Sequence, residues 1–81
     1  MFNRITVDPK ICGGKPCIKG TRIPVVMILD LLEDGLTFDQ ILQDYYPHIT
    51  AEDIRACIKY ARALVEGEEI YLAGELEAVA V

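Results

Sequence analysis

The stretch Thr37-Phe38-Asp39-Gln40-Ile41-Leu42-Gln43-Asp44-Tyr45-Tyr46-Pro47-His48-Ile49-Thr50-Ala51-Glu52-Asp53-Ile54 holds two helix beginnings and one helix end. Thr37 with Gln40, and Thr50 with Asp53, have the spacing of a capping box. In that motif a hydroxyl and a side chain three residues on satisfy each other's backbone N–H groups. Between them Pro47 stops the first of these helices at Tyr46. The first carries Phe38, Ile41, Leu42 and Tyr45 at the i, i+3, i+4, i+7 spacing of one helical face. The second runs to about Glu66, with Ile54, Cys57, Ile58, Ala61, Leu64 and Val65 as its expected buried set, and Gly67 closes it.

Outward from that pair the pattern continues. Val25 to Glu33 reads as a further helix, with Pro24 suited to its first position and Asp34-Gly35 to its end. It is apolar around nearly the whole circumference, as expected of a helix central to a core or buried in a dimer. Ile5-Thr6-Val7 is β-like and is closed by Asp8-Pro9. Gly13-Gly14 permits a sharp turn, and a second extended piece at about Cys17–Ile23 returns as a hairpin partner. An isolated hairpin is marginal in water, so this one lies on the helices or pairs with another subunit. The expected fold is mainly α. A short β-like N-terminal arm or hairpin precedes a trihelical helix-turn-helix over residues 1–66, and an acidic, partly apolar tail fills 67–81.

With 81 residues the chain is one small domain, and 52% hydrophobic residues is more than so short a chain hides alone. That surplus predicts a homo-oligomer, with a dimer as the simplest form. No apolar run reaches the roughly 20 residues of a membrane span, and Met1-Phe2-Asn3-Arg4 has no signal-peptide character. Three cysteines without a secretory context fit reduced thiols and a cytoplasmic location. The net charge of −5 is unevenly spread: residues 1–22 sum to +4 and residues 23–81 to −9. The acidity opposes nucleic-acid binding overall, while the cationic lobe still favours local phosphate contact.

The chemical motifs are mostly negative. Cys12 and Cys17 have a zinc-loop spacing, but only Cys57 and His48 remain to complete four ligands, so no metal site is assigned. Gly13-Gly14-Lys15 lacks the spacing of a nucleotide-binding loop and reads as a structural turn. There is no serine, and the single histidine has no evident orienting partner, so no catalytic residue and no cofactor is assigned. On the last helix Glu52, Arg55, Lys59, Arg62 and Glu66 share one face. They read either as a self-paired solvated surface or as a phosphate-binding one.

The run Gly13-Gly14-Lys15-Pro16-Cys17-Ile18-Lys19-Gly20-Thr21-Arg22-Ile23-Pro24-Val25 resembles the signature of the Domain of Unknown Function 433 family. So do Asp34-Gly35-Leu36-Thr37, Ile41-Leu42-Gln43-Asp44-Tyr45-Tyr46-Pro47 and Thr50-Ala51-Glu52-Asp53-Ile54, which extend the resemblance over residues 3–65. The resemblance implies a homeodomain-like helix-turn-helix. It also implies the antitoxin half of a VapB-like type II toxin–antitoxin pair, whose partner is a PIN-like nuclease.

Three readings follow, the third being an anion- or metal-binding regulator that acts through Gly13-Gly14 and the cysteines. In the first, an antitoxin neutralises its nuclease and represses its own promoter as a dimer. Lys15, Lys19, Thr21, Arg22, Arg55, Lys59 and Arg62 then contact operator DNA, and the tail residues Ile70, Tyr71, Leu72, Glu75 and Leu76 contact the partner. In the second, the chain is a dimeric protein-interaction module that binds no DNA, which accounts for the acidity and the apolar surplus.

Overall fold

The computed structural model describes residues 2–67. Within them the order is β1 (Ile5–Thr6), a 3₁₀ turn at Cys12–Gly14, β2 (Cys17–Ile18), α1 (Val25–Glu33), α2 (Phe38–Asp44) and α3 (Ala51–Val65). The architecture is three helices with a short antiparallel hairpin at the N-terminal side. α3 is the hub, packing against α1, α2 and β1. The core holds Ile18, Ile28, Ile41, Ile54 and Cys57, each at most 1% exposed. Among the described residues no helix is long and apolar enough to cross a membrane.

Both capping boxes form as the residues dictate. The Gln40 N–H donates to Thr37 Oγ1 (3.1 Å) and the Thr37 N–H to Gln40 Oε1 (2.7 Å). The Asp53 N–H donates to Thr50 Oγ1 (3.3 Å) and the Thr50 N–H to Asp53 Oδ2 (3.0 Å). α1 occupies its expected span, but Pro24 is extended and sits just outside it as the N-cap. Gly35, at φ 91°, turns the chain out of α1 in a conformation that disfavours any residue with a Cβ. α2 stops at Asp44, so Tyr45 is its cap and lies exposed, while Tyr46 turns in against the core.

The hairpin is more compact than one extended return. β1 and β2 pair Ile5 with Ile18 and Thr6 with Cys17. The segment expected to run on to Ile23 is broken by a loop at residues 19–22. Beyond the loop, Ile23 and Pro24 lie along the other edge of β2: the Ile18 N–H donates to the Ile23 carbonyl (3.0 Å), and Cys17 bridges Pro24. The Val25 N–H, at the start of α1, donates to the Pro16 carbonyl (2.9 Å). Gly20 at φ 80° makes the loop possible. The Thr21 hydroxyl holds it, donating to the Ile18 carbonyl (2.7 Å) and accepting from the Ile23 N–H (3.0 Å).

Two expected burial patterns are corrected. α1 is not enclosed: Val25 and Ile28 are buried, but Val26 and Met27 are 48% and 42% exposed, because the core covers only one side of it. α3 buries Ile54, Cys57, Tyr60 and Ala63, while Ile58, Leu64 and Val65 are exposed. Steps of three residues at 3.6 per turn make the buried stripe wind around the helix axis. Within that stripe Phe2 of the arm packs edge-on to Tyr60 at 5.3 Å.

Candidate functional site

The hairpin delivers the arm to the outer face of α3. There Phe2, Asn3, Arg4, Glu52, Arg55 and Lys59 line an open cavity of about 220 Å³. Asp53 builds this junction with both carboxylate oxygens. Oδ2 caps α3 at Thr50, and Oδ1 accepts from Arg4 Nη1 at 3.0 Å. Its side chain is 15% exposed, so this ion pair sits at the edge of the packed region rather than in open solvent. Arg55 pairs with Glu52 at 2.8 Å and lies over the Phe38 ring at 5.6 Å. Arg62 pairs with Glu66 at 2.8 Å. Lys59 reaches over the Phe2 ring at 6.0 Å, and among the described residues it is the α3 cation without a carboxylate partner.

The arrangement is a strip of cations with an aromatic floor, held in place by carboxylates one turn away. Exposed pairs of this kind are worth about 0–1 kcal/mol each, so an incoming anion displaces the carboxylates at little cost. Lys19 joins from the hairpin: its N–H donates to the Arg4 carbonyl at 2.7 Å, which sets the two residues side by side across the strands.

The thiols are arranged for packing. Burial pushes the Cys17 thiol up to about 11, helped by its hydrogen bond with Cys12. Its Sγ also donates to the Lys15 carbonyl at 3.3 Å. Burial, with the nearby Asp53 charge, pushes Cys57 up to about 12. Both are thiols at neutral pH, the protonation state least suited to metal ligation or nucleophilic attack. Among the described residues no three His, Cys, Asp or Glu side chains converge in a way that would hold a metal ion. In the glycine turn the Gly14 and Lys15 N–H groups are committed to the Ile11 and Cys12 carbonyls (3.0 and 3.2 Å), which leaves neither pointing out to an anion.

The family model described as "Protein of unknown function (DUF433)" matches residues 5–61. This chain belongs to the DUF433 family. It is 36% identical over 59 residues to the uncharacterized protein y4eO of Sinorhizobium fredii. The match covers 73% of this chain but spans only about a quarter (26%) of that relative. The crystal structure of a DUF433 member from Anabaena variabilis superposes with a TM-score of 0.71 at 36% identity, over 79% of this chain and 62% of that one.

Within the DUF433 match, the Lys19-Gly20-Thr21-Arg22-Ile23-Pro24 portion of the signature has a structural explanation in the loop that returns the chain along β2. Thr21 is therefore a loop-holding residue whose hydroxyl is committed, and it is not free to donate to a phosphate. Arg22 is exposed on the same loop. Lys15 lies elsewhere, at the rim of an apolar groove between α1 and α3. Of the candidates, then, Arg55 and Lys59 share the arm cavity, Arg62 extends its face along α3, and Lys19 flanks it through Arg4. Tyr60, the aromatic nearest the α3 cations in sequence, is buried, packed against Phe2 and lining the groove between α1 and α3. The tail residues Ile70, Tyr71, Leu72, Glu75 and Leu76 lie outside the described residues. Phe2 and Asn3 were not among the sequence candidates, Arg4 entered only through the charge of the arm, and Asp53 only as the capping partner of Thr50. Their meeting had no signal in the sequence, because nothing local links Arg4 to a carboxylate 49 positions away.

Proposed function

We propose that this DUF433 chain is the antitoxin half of a type II toxin–antitoxin pair, a cytoplasmic binding protein rather than an enzyme. It neutralises a PIN-like nuclease and, as a dimer, represses its own promoter. The observation that supports this reading is the union of the arm with α3: Arg4, Arg55 and Lys59 line one cavity with Phe2, Lys19 is joined to Arg4 through the backbone, and Arg62 lies farther along α3. In a homeodomain-like helix-turn-helix the second helix of the motif meets the major groove while the N-terminal arm reaches the adjacent minor groove, and a helix-turn-helix dimer spaces two units about 34 Å apart. The strip suits phosphate positioning more than base reading, since it carries Asn3 as its sole amide. No cofactor or metal enters this function.

A second reading, a dimeric protein-interaction module without DNA, is favoured by one specific observation. Glu52, Asp53 and Glu66 already neutralise three of the strip's cations, while Val26, Met27 and Leu64 stand exposed.

Affinity purification of the tagged chain, expressed with its native neighbouring genes, tests the first reading. A stoichiometric nuclease in the eluate is expected; a homo-oligomer alone counts against neutralisation. DNA binding is then measured against salt. The slope of log K on log salt should be about −0.9 per phosphate contacted, and Arg55→Ala with Arg62→Ala should make it shallower by about two contacts. A flat salt dependence supports the module instead, and an unchanged slope in the variant removes Arg55 and Arg62 from the DNA contact.

A further inference from the structure

The 3₁₀ turn at Cys12–Gly14 holds a backbone strain that neither DNA binding nor neutralisation needs. Cys12 sits at φ 55°, the one non-glycine residue with a positive φ among the described residues, and Gly13 and Gly14 follow at 64° and 84°. A side chain with a Cβ is disfavoured there, and such outliers gather where a fold has a use for them. The turn carries Cys12 back to the start of β2, with Lys15 as the link. The Lys15 N–H donates to the Cys12 carbonyl at 3.2 Å, and the Lys15 carbonyl accepts from Cys17 Sγ at 3.3 Å. The two thiols are also hydrogen-bonded to each other. They differ in access. Cys12 is half-buried, whereas Cys17 is wholly buried in β2, paired with Thr6 and bridged to Pro24.

We propose that Cys12 and Cys17 form a reversible oxidation site: a small-molecule disulfide oxidises them to an intramolecular disulfide that staples the glycine turn to β2. The half-buried Cys12 reacts first. Its thiolate attacks one sulfur of the disulfide, whose S–S bond breaks and whose other half leaves as a thiolate and is protonated. Cys17 then gives its proton to solvent and attacks Cys12 Sγ, expelling the second small thiol. Two protein thiols lose two electrons and two protons, and one small disulfide becomes two thiols. Burial, and then the Cys12 thiol, hold the proton on Cys17; the mixed disulfide at Cys12 ends the second of these, and the Arg22 charge favours the attacking thiolate. The turn has room to close. A Cβ at Gly13 would meet nothing within 4 Å, and one at Gly14 only the Pro9 Cα at 3.8 Å, so the backbone can draw the sulfurs to the ~2.05 Å bond.

Closing the ring restricts chiefly the unfolded chain, so the hairpin that carries Arg4 and Lys19 opens less readily when oxidised. The proposal uses neither DNA nor a nuclease, so it stands or falls separately from the antitoxin reading.

Equilibration of the full chain in glutathione redox buffers, quenched by alkylation and read by mass, tests it. The oxidised chain is expected to be about 2 Da lighter, without cross-links between molecules, and to take up alkylating agent only at Cys57 once denatured. Tryptic peptide 11–19, which holds both other cysteines, should carry the missing hydrogens. The equilibrium constant for closure should be at least about tenfold larger in the folded chain than in urea, because the fold holds the thiols together. Cys17→Ser should stop at a mixed disulfide on Cys12, and Cys12→Ser should leave Cys17 reduced. A parent chain that stops at the mixed disulfide, cross-links between molecules, or closes no more readily than in urea would overturn the proposal. Glutathione found on Cys17 in the Cys12→Ser protein would overturn the order of attack.

Discussion

The two sides of α3 solve opposite problems with the same helix. On the arm side nearly every polar group has a partner supplied by the chain. Asp53 serves both Thr50 and Arg4, Glu52 holds Arg55, Glu66 holds Arg62, and Phe2 lies under Lys59. On the groove side Val26 and Leu64 are 48% and 42% exposed. Polar surface that is self-satisfied can be left in water or exchanged for another anion at small cost. Exposed apolar surface gains only when something covers it. The contrast separates a face suited to reversible electrostatic contact from one suited to a packed occupant.

The deepest break removes what both faces share. Ile54 is fully buried on α3, and Ile54→Ala is expected to cost about 2–5 kcal/mol. A domain of this size has roughly 3–10 kcal/mol in total. Urea or thermal unfolding should therefore show a large loss, with the arm and the groove failing in one transition. If the arm melted separately while the helices held, the two faces would not be coupled through the core.

Which parts of this contrast were legible in the sequence follows from how local each feature is. Both capping boxes and the span of α1 were read residue for residue, because each rests on contacts three or four positions apart. The Glu52–Arg55 and Arg62–Glu66 pairs were legible for the same reason. The Arg4–Asp53 contact was not, since its residues meet only after the hairpin folds onto α3. The winding of the buried stripe was also hidden. A fixed helical face predicted Leu64 and Val65 inside, whereas Tyr60, packed against Phe2, is buried and those two are exposed. The family signature identified the loop at residues 19–22 without revealing that Thr21 is spent on holding it.

A second test uses the thiols, which sit under both faces. Cys17 and Cys57 are raised from 9.0 to about 11 and about 12 by burial, so folded protein resists forming their thiolates. A raised folded value means their contribution is fully present below pH 9. It is lost as pH climbs from 9 through 11 and toward 12, because the unfolded chain releases protons that the folded one keeps. Unfolding midpoints should therefore fall above pH 9, with a slope approaching one proton per buried thiol. A Cys57→Ala variant should show the shallower slope of the single thiol left; an identical slope would mean that Cys57 ionises as freely folded as unfolded.

The smallest expected effect probes how the arm is fastened. Asp53→Ala removes the capping partner of Thr50 and the Arg4 ion pair together, so it should cost about 1–2 kcal/mol, most of it from the cap. Arg4→Ala alone should cost no more than about 1 kcal/mol, the range for an ion pair half exposed to solvent. In a double-mutant cycle the coupling between the two positions should equal that small Arg4 term, because Asp53→Ala has already freed Arg4. Chemical denaturation of the four proteins measures it. A coupling near zero would mean that Phe2 packed on Tyr60, and not charge, keeps the arm against α3. The cationic strip would then owe its geometry to apolar packing rather than to the ion pair.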